Sequence, residues 1–203
     1  MGFFSVDGKL AKLLNRLGNL LLLNMLTVIC SIPVFTFGAA MTALYTCTLR
    51  LVRGEDGSLA ASFFAAFRGN FKQATKVWLL GGGIIVFMAF DIWLLNFLEG
   101  TFSQVYRIVL FVLILLAVLE LVYTFALMAR FQNSIRNTLK NALILLVGNP
   151  IPTVLLLNLM AIPVAFLMIS YRLVAVDILL GISGPVYLSS IYFTYLFKRF
   201  EGV

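Results

Sequence analysis

The sequence predicts an all-α protein, a bundle of helices that crosses a membrane several times. Hydrophobic residues make up 62% of the 203 residues and charged residues only 11%, whereas a soluble domain is about half apolar and about a quarter charged. The apolar residues also fall into five long blocks, and a membrane-spanning helix needs about 20 such residues. We therefore predict that residues 1–203 form a single integral membrane domain.

The first apolar block extends from about residue 17 to residue 49 and is interrupted by Pro33. A proline removes a helix hydrogen bond and disfavours the helical conformation of the residue before it. We therefore predict two short passes, 17–32 and 35–52, that form a helical hairpin; one kinked helix is the alternative. Residues 1–16 interleave leucines with basic residues, which indicates an amphipathic lead-in at the membrane surface.

Two polar segments, 58–74 and 131–147, are predicted to be cytoplasmic interfacial helices. In the first, phenylalanines recur every four residues and basic side chains lie off that stripe, as in a helix with its apolar face in the acyl boundary. Both segments carry a similar basic motif before an apolar block, which indicates either a duplication or the general pattern of such helices. The candidate interface residues are Phe63, Phe67, Arg68, Phe71, Lys72, Arg136 and Lys140.

The remaining apolar blocks cover about 77–98, 106–128, 151–169 and 173–197. With two passes in the first block, the chain makes six passes and both termini lie on one side. Lysine and arginine concentrate on the cytoplasmic side of membrane proteins. This arrangement leaves only Arg107 and Arg172 of the 15 basic residues on the outer side. The sequence thus predicts a plasma-membrane protein with both termini in the cytoplasm.

No catalytic, cofactor-binding or metal-binding chemistry is indicated by the sequence. The chain has no histidine, which removes the commonest general base and metal ligand. It contains no glycine-rich phosphate loop, nucleophile elbow or paired-cysteine motif. Cys30 and Cys47 both lie within apolar stretches of the sequence, where small buried thiols are common. The net charge of +7 is explained by basic cytoplasmic loops rather than by nucleic-acid binding. Because the sequence offers no catalytic motif, we expect a protein that is not an enzyme.

Two charged residues near the turn at Gly100 are candidate pairing residues, because a charge at membrane depth is costly and marks either function or pairing. They are Asp91 and Arg107, which lie at similar distances from that turn in sequence. If the blocks on either side fold as an antiparallel hairpin, these side chains come to a similar depth. We therefore expect an ion pair between them.

Glu120 is the third candidate intramembrane residue, and three interpretations of it stay open. It lies about ten residues from the cytoplasmic end of its pass, or roughly 15 Å, near the middle of the membrane. It is expected to be protonated, to be hydrogen-bonded to neighbours such as Tyr123, Thr124 or Asn158, or to face a polar cavity. Only the last arrangement would serve transport.

Three stretches in the first 80 residues match a known pattern: MGFF at 1–4, SIPVFTFGAA at 31–40 and SFFAAFRGNFKQAT at 62–75. They resemble the YesL-like bacterial membrane proteins, which share a domain of unknown function, DUF624. The resemblance implies a plasma-membrane protein of Gram-positive bacteria, encoded beside sugar uptake systems and polysaccharide-degrading enzymes. It implies no activity. The chain also lacks the cytoplasmic loop with which the permease of such a transporter docks its ATPase.

We therefore expect a non-enzymatic accessory or scaffold protein associated with ABC-type carbohydrate uptake. Its expected partners are the lipid bilayer and subunits of a sugar transporter or other membrane proteins, with no nucleic acid and no cofactor. The alternative is a small solute transporter or channel that uses Glu120 and Asp91, which requires a water-accessible cavity at Glu120.

Overall fold

The computed structural model describes residues 9–55, 57–97, 100–169 and 180–201. Within these ranges the chain forms seven α-helices and two short 3-10 helices, so the predicted all-α class is confirmed for this part of the chain. The α-helices are α1 (Lys9–Ser31), α2 (Phe37–Arg53), α3 (Leu59–Leu94), α4 (Thr101–Arg130), α5 (Ile135–Gly148), α6 (Pro150–Ile169) and α7 (Ser183–Glu201).

Four helical segments within the described ranges are long and apolar enough to cross a membrane. They are Leu10–Ser31, Val34–Arg53, Leu59–Phe97 and Thr101–Arg130. α5 and the first part of α6 would together make a fifth, but their axes meet at an angle of 103°. The described ranges thus hold four or five candidate membrane spans, as a membrane protein requires, and the six predicted passes stay a prediction.

The predicted break in the first apolar block is present at Pro33. α1 ends at Ser31, and α2 begins at Phe37 after a single 3-10 turn. The hydroxyl of Thr36 donates to the backbone carbonyl of Pro33 at 2.6 Å, which closes the turn. The proline therefore separates two helices rather than kinking one.

α1 and α2 run antiparallel, as the predicted hairpin requires. Asn19, far from the turn on α1, lines the same cavity as Leu51, near the end of α2. Residues 9–16 of the predicted lead-in belong to α1 itself and continue into its apolar part without a break. Residues 1–8 lie outside the described residues.

α3 is one continuous helix of 36 residues, about 54 Å long at 1.5 Å per residue. The segment 58–74 is therefore not a separate helix but the first half of α3, capped by Ser58, whose hydroxyl accepts from the Ala61 amide at 3.4 Å. The helix continues because buried Ala74 and Val77 keep one face on the core. Since a hydrocarbon layer is about 30 Å thick, α3 extends beyond it.

The two halves of α3 contact different helices. α2 lies antiparallel along the first half, where the Cys47 thiol approaches the Leu59 carbonyl at 3.7 Å. At the other end of this contact, the Trp78 indole N–H donates to the Val34 carbonyl at 2.8 Å. The second half packs against α4 and exposes large apolar side chains such as Phe87. This apolar half is the part of α3 suited to lipid.

Aromatic rings from three helices meet at the centre of the bundle. The ring of Phe193 on α7 lies edge-on to Tyr45 on α2 and to Tyr123 on α4, with centroids 5.8 and 5.2 Å apart. Beside them, the hydroxyls of Thr48 and Ser190 are 2.7 Å apart and fully buried. These contacts hold α7 against the first hairpin.

The second half of the chain follows the predicted blocks only in part. The predicted interfacial helix 131–147 corresponds to α5, which begins four residues later and lies against α4. The block 151–169 corresponds to α6, which contains Pro163. Of the block 173–197, α7 covers the part from Ser183 onward. Residues 170–179 lie outside the described part of the chain.

Candidate functional site

The expected ion pair between Asp91 and Arg107 is not formed, although the structure describes both residues. The Arg107 guanidinium instead donates through Nη2 to the backbone carbonyl of Leu95 at 3.2 Å. This bond attaches α4 to the 3-10 turn that follows α3. Because Arg107 lies level with Leu95, Asp91 is about one helical turn away from it.

Glu120 lines a groove of about 420 Å³ between α3, α4 and α5. The other side chains that line this groove are apolar, among them Leu116 on α4 and Leu143 on α5. No described residue donates a hydrogen bond to the Glu120 carboxyl. The groove is therefore not the polar path that a transporter using Glu120 would require.

The neighbours expected to hydrogen-bond Glu120 have other partners or none within the described ranges. The Tyr123 hydroxyl lies 2.9 Å from that of Thr153 on α6. The Asn158 amide donates to a backbone carbonyl of its own helix, α6, at 2.8 Å. The buried hydroxyl of Thr124 has no hydrogen-bond partner among the described residues.

The predicted interface residues divide into a buried group and an exposed group. Phe63 is fully buried, and Phe67 and Phe71 are partly buried against the core. The aromatic stripe therefore packs largely against the core, because α2 lies along this side of α3. The basic members remain exposed: Arg68, Lys72, Arg136 and Lys140.

A polar cleft of about 1090 Å³ lies where the end of α2, the first half of α3, the end of α4 and the start of α5 meet. Its floor is made of small residues on α3, including Ala65 and Gly69. A Cβ atom at Gly69 would meet nothing within 4 Å, so the space above it is open. The polar side chains that line the cleft are Thr46, Arg50, Ser62, Asn70, Gln73, Arg130, Gln132, Asn133, Ser134 and Asn137.

Hydrogen bonds fix the loop that forms one wall of the polar cleft. The Gln73 side chain on α3 donates to the backbone carbonyl of Asn133 at 2.7 Å. The Ser134 hydroxyl caps α5 by accepting from the Asn137 amide at 3.4 Å. Before them, the Phe131 ring packs edge-on to the ring of Phe197, 5.3 Å away. The wall is thus tied to α3, α5 and α7.

Two arginines share one carboxylate at the edge of the cleft. Arg50 donates through Nε to Glu55 at 3.1 Å, and Arg53 donates to the other oxygen of the same carboxylate. Arg50 also donates through Nη1 to the Ser62 hydroxyl. The hydrogen bond from Arg53, together with both guanidinium charges, holds the pKa of Glu55 below its ordinary value. The cluster keeps a net positive charge.

The sequence analysis did not find this cleft, although one signal for it exists. Ala61, Ala65 and Gly69 recur every four residues on α3, on a different face from the aromatic stripe, and Gln73 continues the series. Such a spacing places small side chains on one face of a helix. The loop that completes the cleft lies about 60 residues further along the chain, and no local pattern connects the two.

Comparison with known proteins gave one match. Residues 20–92 match a family model described as "Protein of unknown function, DUF624". No curated protein and no solved structure matched the chain. The matched residues cover about half of α1, all of α2 and nearly all of α3, and so include the floor of the polar cleft. The narrower YesL-like name stays a prediction. The shown similarity is thus that of residues 20–92 to the DUF624 family model.

Proposed function

We propose that this protein is a non-enzymatic accessory or scaffold component of a bacterial plasma membrane. It binds a membrane partner through a basic face, defined as Arg68 and Lys72 on α3 with Arg136 and Lys140 on α5. The observation that carries the proposal is that all four side chains are exposed. The bond between Gln73 and Asn133 joins the two stretches of chain that bear them.

The basic face lies at the end of the bundle that we assign to the cytoplasm. Arg50 and Arg53 at the end of α2 and Arg130 at the end of α4 lie at the same end. Arg107 lies at the other end of the α3–α4 hairpin. This distribution supports a cytoplasmic location for the basic end, because basic residues are retained on that side.

The partner we propose is a subunit of an ABC-type carbohydrate uptake system with an acidic cytoplasmic surface. The carbohydrate association rests on the resemblance to the YesL-like family, and the acidic surface follows from charge complementarity. The carboxylate of Glu55 at this end is bound by Arg50 and Arg53, which leaves that cluster with a net positive charge. The length of α3 beyond one hydrocarbon layer supports access from the cytoplasm.

Affinity purification from the native cell, at native expression and in mild detergent, tests this proposal. Proteins that co-purify with the unchanged chain would be compared with those that co-purify with the double variant Arg68→Glu/Lys72→Glu. We expect a stoichiometric transporter subunit that the double variant loses. Changes at Phe67 or Phe71 would be a poor test, because these rings pack against the core.

The matched control is the double charge reversal Lys198→Glu/Arg199→Glu in the last turn of α7, which changes net charge equally. It should retain the partner. Loss of the partner in both double variants would show a non-specific charge effect. A chain that purifies without any stoichiometric partner would contradict the accessory role. The solute-transporter alternative receives no support from the apolar groove at Glu120.

A further inference from the structure

We propose that the polar cleft binds a phosphate group attached to a hydroxyl-bearing molecule. This site is distinct from the basic face, because none of the four residues of that face lines the cleft. The inference therefore does not depend on partner binding. It rests on the charge, the hydrogen-bonding groups and the shape of the cleft.

The charged groups that line the cleft have one sign. Arg50 and Arg130 lie in its walls, and no acidic side chain lines it within the described residues. Glu55 neutralises only part of the Arg50–Arg53 pair, since one carboxylate faces two guanidiniums. The N-terminus of α5 also opens toward the cleft through Ser134 and adds the positive end of a helix dipole. An anion is the ligand that this field favours.

The neutral groups select the chemistry of that anion. Five carboxamides line the cleft, at Asn70, Gln73, Gln132, Asn133 and Asn137. A carboxamide both donates and accepts hydrogen bonds, so it suits hydroxyl groups as well as phosphate oxygens. Guanidiniums bind phosphate with charge-assisted hydrogen bonds. Together they fit a phosphate with neighbouring hydroxyls better than a bare inorganic anion or an apolar acid.

The shape and depth of the cleft allow two sources for this chemistry. The volume of about 1090 Å³ is slightly above the usual range of small-molecule sites. Gln73 in the cleft lies four residues, or about 6 Å, before Val77, where the apolar part of α3 begins. The cleft thus borders the apolar layer, at the depth of lipid headgroups. The phosphate can belong to a glycerol-phosphate lipid headgroup or to a soluble phosphorylated polyol.

Binding measurements on the full chain in nanodiscs distinguish these sources. In the first arm, nanodiscs of phosphatidylcholine with or without phosphatidylglycerol are analysed by native mass spectrometry for retained lipid. In the second arm, glycerol 3-phosphate is titrated by calorimetry against protein in phosphatidylcholine alone. Selective retention of phosphatidylglycerol with no heat in the second arm identifies a lipid headgroup. Saturable heat in the second arm identifies a soluble ligand.

Two variants tie either result to the cleft. Gly69→Phe fills the open space above the floor, and Arg130→Gln removes one of the charges. We expect each to weaken binding by about tenfold or more, Gly69→Phe because the ring occupies the space of the ligand and Arg130→Gln because it removes a donor for a charge-assisted hydrogen bond. Gly83→Phe is the matched control, since Gly83 lies on the same helix with open space around it and outside the cleft. Binding that is absent in both arms, or unchanged in Gly69→Phe, would overturn the inference.

Discussion

Gly38 on α2 lies directly against the backbone carbonyl of Ala74 on α3. A Cβ atom at Gly38 would lie 2.5 Å from that oxygen and 2.6 Å from the Cβ atom of Trp78. Small residues allow membrane helices to approach this closely, so that dispersion contacts and backbone dipoles hold them together. Gly38 therefore sets the distance between the first hairpin and α3.

The first prediction concerns this contact. Gly38→Leu should lower the free energy of unfolding by about 1–3 kcal/mol, the usual cost of overpacking a tight interface, because a backbone oxygen cannot move aside. The measurement is the midpoint of thermal unfolding in detergent. Gly18→Leu on α1 is the control, since a Cβ atom there would meet nothing within 4 Å. Equal midpoints for the two variants would contradict the close approach.

A second prediction concerns the start of α7. The side-chain carbonyl of fully buried Asn24 accepts hydrogen bonds from the amides of Ile182 and Ser183, at 3.2 and 2.7 Å. Asn24→Leu removes the acceptor and should destabilise the protein by about 1–3 kcal/mol, the cost of leaving buried donors unsatisfied. Hydrogen exchange at these two amides should accelerate more than exchange in α3. Unchanged protection at both amides would show that Asn24 does not cap α7.

The third prediction tests the absent ion pair. If Asp91 and Arg107 do not interact, a double-mutant cycle with Asp91→Asn and Arg107→Gln should give a coupling energy below about 0.5 kcal/mol. Arg107→Gln alone should destabilise the protein, because it removes the hydrogen bond to the Leu95 carbonyl. The cycle is measured from unfolding midpoints in detergent. A coupling energy well above that value would show that the two side chains do pair.

A fourth prediction concerns pH. The pKa of Glu55 is held below its ordinary value, first by the hydrogen bond from Arg53. The carboxylate therefore contributes stability at pH values above its unfolded pKa, and this contribution is lost as the pH falls through the folded pKa. Unfolding midpoints of the unchanged chain should fall in that acidic range more than those of Glu55→Gln. Parallel pH profiles for the two proteins would refute the linkage.

Local sequence was a good guide to the break in the first apolar block and to which segments are apolar. Pro33 separates α1 from α2 because proline lacks the donor that a continuous helix needs. Ser58 and Ser134 begin α3 and α5 because their hydroxyls accept from the first free amides. These are effects of a residue on its own backbone, and a sequence displays them directly.

The placement of side chains was harder to predict. The stripe of Phe63, Phe67 and Phe71 suits both a lipid surface and a protein core, and only the position of α2 decides between them. We expected the side chain of Arg107 to pair with the carboxylate of Asp91. In the register of the α3–α4 hairpin, however, the carbonyl of Leu95 lies closer to the guanidinium. A sequence gives spacing along one helix and not the offset between two.

The sequence by itself determined that this protein is helical, apolar enough for a membrane, basic at particular segments and divided at Pro33. These properties follow from composition and from hydrogen bonding within a few residues. Only the tertiary structure decided that α3 is continuous, that Phe63 is buried and that Gln73 meets Asn133 to complete a polar cleft. Such contacts join residues far apart in the chain, and their geometry depends on how whole helices pack against one another.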